Sequence, residues 1–219
     1  MRQNISLAEI SDGHLYKAND MVKADCGGCE GCSQCCRGMG NSIILDPYDV
    51  YRLTTGIGKS MQELLATSME LNVVDGVILP NLKMQGTREA CAYLDAEGRC
   101  SIHPYRPGIC RLFPLGRHYE NGGLFYFLQT GECVKENRSK VKVSKWIDTP
   151  ELKRNEQFKL QWHDLLSAMT DRVAGEDEGK QREENLLLLR LFYLLPYEGT
   201  TDFYSQFTER MEHWNEQIG

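Results

Sequence analysis

All nine cysteines of this 219-residue chain fall between Cys26 and Cys133, and residues 134–219 contain none. Cysteines used only as small buried hydrophobes would be spread through the core. The segregation instead confines some chemistry to the first part of the chain. Disulfide staples do not explain an odd number of thiols in a chain long enough to build an ordinary core. The first 25 residues show no apolar run behind a basic start, so no secretory leader is read there and a cytoplasmic location is expected.

Five of the cysteines form one dense run, Cys26-x2-Cys29-x2-Cys32-x2-Cys35-Cys36, with Gly, Glu, Ser and Gln as spacers. A CxxC step makes a tight turn in which two sulfurs face one centre and backbone N–H groups reach the thiolates. One such step is weak evidence. Three in succession, joined to Cys91, Cys100, Cys110 and Cys133 downstream, are strong. Cys91 and Cys100 bracket an expected hairpin that turns at Asp95–Gly98. Cys110 follows a loop ordered by Pro104 and Pro107.

A zinc site or a 4Fe–4S cluster takes four protein ligands. The eight cysteines Cys29, Cys32, Cys35, Cys36, Cys91, Cys100, Cys110 and Cys133 therefore suffice for two four-thiolate centres, with Cys26 left as a spare thiol. Neighbouring side chains of an extended segment point to opposite sides. On that basis Cys35 and Cys36 face two different centres, or one ligates while the other packs in the core. Cys26, Cys29, Cys32 and Cys36 follow the spacing of the bacterial ferredoxin run, with Arg37 where that run has Pro, which favours iron–sulfur over zinc. Arg37, Arg88, Arg99, Arg106, Arg111 and Arg117 lie near cysteines in sequence and would lower the cost of clustered thiolate charge. His103, at x2 from Cys100, is read as a turn residue.

The segments Cys29-Glu-Gly-Cys32-Ser-Gln-Cys35-Cys36, Cys91-Ala-Tyr-Leu-Asp, Gly98-Arg-Cys100-Ser-Ile, Arg106-Pro107 and Cys110-Arg-Leu-Phe-Pro114 together resemble the YkgJ-like CxxCxxCC family over residues 29–133. The resemblance implies a metal-chelating cysteine cluster holding zinc or iron, the iron as an iron–sulfur cluster. Relatives of that family include flagellin lysine N-methylases. It therefore also implies an alternative function, a protein lysine N-methyltransferase with a structural cluster, and leaves open whether the chain is an enzyme.

The rest of the sequence reads as scaffold. Asp46-Pro47 and Ser60 with Glu63 are helix starts, the first helix ending before a Gly56 C-cap. Asn121-Gly122-Gly123 is a hairpin turn. Thr149-Pro150 opens a helix whose apolar positions Leu152, Phe158, Trp162, Leu165, Leu166 and Met169 approximate the helical period. Two more helices follow, one ending at Pro196 and one over about 202–217. The expectation is a single α+β domain over 1–219. Its cysteine-rich metal-binding core (26–133) carries short hairpins and packs against C-terminal helices (149–217).

A net charge of −6 argues against a nucleic-acid partner. The longest apolar run, Leu186–Leu195, is interrupted by Arg190 and far too short to span a membrane. It is a candidate surface for a protein partner of the C-terminal helices.

Overall fold

The computed structural model describes residues 6–27, 32–135 and 137–218. In chain order the elements are α1 (Leu7–Ile10), β1 (Met21–Asp25), a 3-10 turn (Gln34–Cys36), α2 (Pro47–Ile57), α3 (Met61–Thr67), β2 (Met69–Val74) and β3 (Val77–Leu82). Next come β4 (Met84–Gln85), β5 (Ala90–Cys91), a second 3-10 turn (His103–Tyr105), α4 (Gly108–Leu112), β6 (Leu115–Glu120) and β7 (Gly123–Leu128). The chain finishes with β8 (Ser139–Lys142), α5 (Val143–Ile147), α6 (Leu152–Val173), α7 (Glu178–Leu189), a π-helical turn (Arg190–Leu194) and α8 (Phe203–Ile218). This is an α+β architecture. Among the described residues the strands pair two at a time, all antiparallel: β1 with β8, β2 with β3, β4 with β5, and β6 with β7. Among the described residues no helix is long and apolar enough to cross a membrane.

The helix starts follow from local chemistry. The Asp46 carboxylate accepts the Asp49 N–H (3.0 Å) and the Asp49 carboxylate accepts the Asp46 N–H (3.2 Å), so two donors at the mouth of α2 are satisfied reciprocally. Ser60 and Glu63 do the same for α3. Two expectations need correction. Helix α2 runs past Gly56 to Ile57 and is capped by Gly58, whose φ of 72° is left-handed. Gly56 is wanted inside the helix because the Tyr105 ring lies where a Cβ would be. Helix α6 begins at Leu152, after Glu151, and uses no side-chain cap from Thr149.

The buried stripe of α6 carries Phe158, Trp162, Leu165, Met169 and Val173 at helical spacing. They join Leu45, Leu53, Leu64, Met69 and Leu82 from the first half of the chain, and Leu188, Phe192, Tyr193 and Phe207 from the last helices, in one apolar cluster. The C-terminal helices thus complete the core under the cysteine-bearing segments. Phe158 meets Phe203 and Phe207 edge-on, with centroids 5.1 and 4.8 Å apart. The Tyr193 hydroxyl donates to the Leu45 carbonyl (3.0 Å) across this core. In the apolar run read as a partner surface, Leu188, Leu189, Leu191, Phe192 and Tyr193 are buried, and Leu186 and Leu195 are exposed. A second, smaller cluster gathers Val22, Ala24, Leu112, Leu115, Tyr126, Leu128, Val143 and Ile147. Helix α4 lies between the two: Ile109 and Cys110 pack on the first and Leu112 on the second.

Candidate metal centre

Cys35 and Cys36 occupy the 3-10 turn after the glycine-rich run. Past this turn the chain docks antiparallel on the strand before Cys91: Arg37 bridges Ala90, and the Gly38 N–H donates to the Glu89 carbonyl (2.9 Å). The same register, followed one residue further, sets Cys36 opposite Cys91. Cys91 sits in β5, whose partner is Met84 in β4. The expected turn at Asp95–Gly98 is present and closed by Asp95 and Gly98 (N···O 3.1 Å). Its legs meet at a Leu94–Cys100 bridge, so Cys100 returns opposite Leu94 while Cys91 pairs with Met84. Cys110 is carried by α4.

These segments bring five thiols within electrostatic reach of one another. Cys36 hydrogen-bonds Cys35 and senses Cys91 and Cys110. Cys91 senses Cys100 and Cys35, and Cys110 senses Cys91, Cys35 and Cys100. Cys35 and Cys36 lie on a 3-10 turn and not on an extended strand, so their side chains leave the turn about 120° apart and not on opposite faces.

Burial pushes the Cys110, Cys91 and Cys100 thiols upward, because a thiolate loses hydration there. In Cys91 and Cys100 this is opposed by a backbone N–H two residues on, from Tyr93 and Ile102 respectively, bonded to the sulfur. The bond with Cys36 brings Cys35 down to about 7, helped by the Arg106 guanidinium, while Cys36 is driven up. Arg106 also favours the Cys100 thiolate. Burial and the cations Arg106, Arg111 and Arg99 lower the His103 pKa.

Thiolate sulfur is soft, and it suits zinc and iron–sulfur centres over hard cations. The N–H donors aimed at Cys91 and Cys100, and the guanidinium beside Cys35 and Cys100, would stabilise a thiolate charge at this point. The donor set therefore fits such a centre in chemistry. Among the described residues no group of three or more His, Cys, Asp or Glu is close enough together to hold an ion.

Cys32 and Cys133 are half-buried free thiols. Cys29 lies outside the described residues. Among the described residues no disulfide joins Cys32, Cys35, Cys36, Cys91, Cys100, Cys110 or Cys133.

Behind the thiols is a buried polar layer that the motif reading did not reveal. Asp49, 3 % exposed, accepts the Gly108 N–H at 2.7 Å and so ties α2 to the start of α4. Lys159, 4 % exposed, pairs with Asp46. A Cβ on Gly108 would lie 2.9 Å from Arg117 Nη2 and 3.4 Å from both Asp49 Oδ1 and Lys159 Nζ, so a side chain there would push the Arg117 guanidinium aside. Burial raises the Asp49 carboxyl to about 6, against the opposing Gly108 N–H and the Arg117, Arg111 and Arg52 charges. Burial lowers the Lys159 ammonium to about 7. The signal was available in the helical phase, because Asn155 and Lys159 interrupt an otherwise apolar stripe of α6, where polar residues are unexpected.

Among known families, residues 28–133 match the CxxCxxCC family, whose description reads "Putative zinc- or iron-chelating domain". No curated protein and no solved structure matches the chain.

Proposed function

Because residues 28–133 carry a CxxCxxCC domain of the zinc- or iron-chelating family, we propose that the protein is a cytoplasmic iron–sulfur protein whose cluster is held by four thiolates from the set Cys35, Cys36, Cys91, Cys100 and Cys110. What supports this reading is that Cys36, from the N-terminal run, lies near enough to Cys91 and Cys110, more than 50 residues further on, for their charges to raise its thiol. Soft thiolates suit zinc and iron–sulfur alike, and the ferredoxin-like spacing of Cys26, Cys29, Cys32 and Cys36 favours iron–sulfur for a centre that draws on that run. Four ligands can be drawn from these five without Cys29, Cys32 and Cys133; a second centre would draw on them.

The protein's own contribution is electrostatic and structural. Four thiolates around a divalent zinc or a cluster core of the same charge leave a net charge of about −2. Arg106 and the Tyr93 and Ile102 N–H groups offset part of that charge. When bound, the group supplies a covalent cross-link between the two cysteine regions and, as iron–sulfur, a one-electron carrier. The helices of 149–217 serve as the layer on which this core is built, within a single domain.

The test is anaerobic purification followed by iron, zinc and sulfide analysis and a visible spectrum. A brown protein absorbing near roughly 400 nm with matched iron and sulfide is expected. Stoichiometric zinc without sulfide would overturn the iron–sulfur assignment. Since at most one of the five thiols is spare, at least one of Cys91→Ser and Cys110→Ser is expected to lose the metal. Full metal content in both variants would overturn the ligand set.

A further inference from the structure

Strands β2 and β3 form a hairpin closed by Asp75 and Gly76, whose φ values of 50° and 84° suit a tight two-residue turn. The far side of β3 is occupied. The Leu45 N–H donates to the Pro80 carbonyl (2.8 Å), the Leu82 N–H to the Ile43 carbonyl (3.0 Å), and the Ile78 N–H to Asn185 Oδ1 (2.6 Å). Residues 78, 80 and 82 therefore turn their main-chain groups away from β2. Successive residues of a strand turn these groups to alternate sides. Val77, Leu79 and Asn81 thus face β2, where Val74, Asn72 and Glu70 are their partners.

That parity leaves the N–H and C=O groups of Leu71 and Val73 pointing out of the hairpin. Among the described residues no main-chain hydrogen bond reaches them. Their side chains are open as well: Leu71 is 43 % exposed, and Val73, at 69 %, is the most exposed large apolar side chain among the described residues. Proteins ordinarily blunt such an edge with lysine, proline or a bulge. Residues 69–74 read Met-Glu-Leu-Asn-Val-Val, with neither lysine nor proline, and their pairing with β3 is continuous.

A second copy of the same strand complements this edge. Laid antiparallel about a twofold axis at Asn72, it sets Leu71 opposite the second copy's Val73, and Val73 opposite its Leu71. Both are outward-facing residues, so each pair exchanges its N–H and C=O groups in full. Glu70, the one charge in the strand, falls opposite Val74, so no like charges face each other across the join. The contact is self-complementary, as a twofold dimer requires.

We propose that β2 is a dimerisation edge, through which two copies of the chain join their β2–β3 hairpins into one continuous antiparallel sheet. The join lies on a strand that carries no cysteine and does not depend on which metal the thiols hold. A single strand edge is a small contact, so the dimer is expected to form with a Kd of about 10–100 µM.

The experiment is sedimentation velocity of the full-length, metal-loaded protein under reducing, oxygen-free conditions, from about 1 to 300 µM. Hydrogen exchange read by mass spectrometry at the two ends of that range locates the contact. A monomer–dimer equilibrium is expected, with peptides spanning β2 better protected at the higher concentration. Val73→Lys sets a charge against the second copy's Leu71. Val73→Pro removes an N–H that points outward and leaves the ladder to β3 intact. Each is expected to weaken the dimer about tenfold or more while the monomer melts close to the wild-type temperature. A wild type that stays monomeric throughout, a dimer unchanged in both variants, or protection that builds away from β2, as at the exposed Leu186 and Leu195, would each overturn the proposal.

Discussion

Asp49→Ala tests whether the buried polar layer holds the Cys110 helix in place. The Asp49 carboxylate accepts Gly108 N–H at 2.7 Å and Asp46 N–H at 3.2 Å while 3 % exposed. Alanine leaves the Gly108 donor without an acceptor, at about 1–3 kcal/mol, and removes the anion facing Arg117 and Arg111. Breaking a buried charge arrangement on one side costs about 3–5 kcal/mol, and because the two effects overlap, that range is the expected total. For a chain of this size it corresponds to a melting temperature lower by about 6–20 °C. Asp49→Asn keeps an oxygen for Gly108, so it is expected to cost less at pH 7. The pair also has a pH signature. The folded carboxyl, raised to about 6 from an ordinary 3.8, holds its proton more tightly than the unfolded chain does. Its contribution to stability is therefore full below the unfolded value and lost as the pH rises through about 6. Asparagine has no such titration. The wild-type advantage over Asp49→Asn should grow by about 1 kcal/mol between pH 7 and pH 5. Thermal and urea melts of the three proteins at both pH values measure this. A loss under about 1 kcal/mol for Asp49→Ala, or an advantage that shrinks on acidification, would refute the account.

Two further outcomes are expected. In metal-stripped protein, iodoacetamide should modify Cys35 fastest, with a rate that rises through about pH 7, and Cys110 slowest, because the Cys36 bond and Arg106 favour the Cys35 thiolate whereas burial opposes that of Cys110. Site-resolved mass spectrometry reads this, and an inflection for Cys35 at the ordinary thiol value would contradict it. Gly56→Ala should destabilise the fold although glycine to alanine inside a helix ordinarily gains about 1 kcal/mol, because the new Cβ meets the Tyr105 ring; a raised melting temperature would show that the ring yields freely.

Much of the scaffold was legible because its signals are local. Asp46-Pro47, Ser60 with Glu63, and Asn121-Gly122 each specify their own turn or cap within four residues, and each forms. The α6 stripe was legible because it repeats over six turns. What escaped was decided at a distance. Gly56 looks like a helix stop until Tyr105, far along the chain, is seen to occupy the space above it. The x2 spacing of the cysteines states that sulfurs can face one centre, but not that Cys35 and Cys36 share a 3-10 turn. Nor does it say that Cys91 pairs with Met84 while Cys100 returns at Leu94.

The placement of Cys110 shows why the site needs more than its motif. A five-residue helix such as α4 cannot persist on its own, since nucleation costs more than so few hydrogen bonds return. Here it is held by side chains bonded to its backbone and its flanks. Asp49 takes the Gly108 N–H, Trp146 Nε1 reaches the Leu112 and Phe113 carbonyls at 3.2 and 3.1 Å, and Arg111 spans the Asp148 and Pro104 carbonyls at 2.8 and 2.9 Å. Cys36 and Cys91 are likewise aligned by main-chain bonds at Arg37–Ala90 and Gly38–Glu89. The thiols are thus gathered by ties that involve no sulfur, and a bound metal would complete an arrangement already begun. Chelation should accordingly loosen the cysteine segments while leaving the aromatic core of α6 and α8 intact, since that core is closed by Phe158, Phe203 and Phe207 packing on one another.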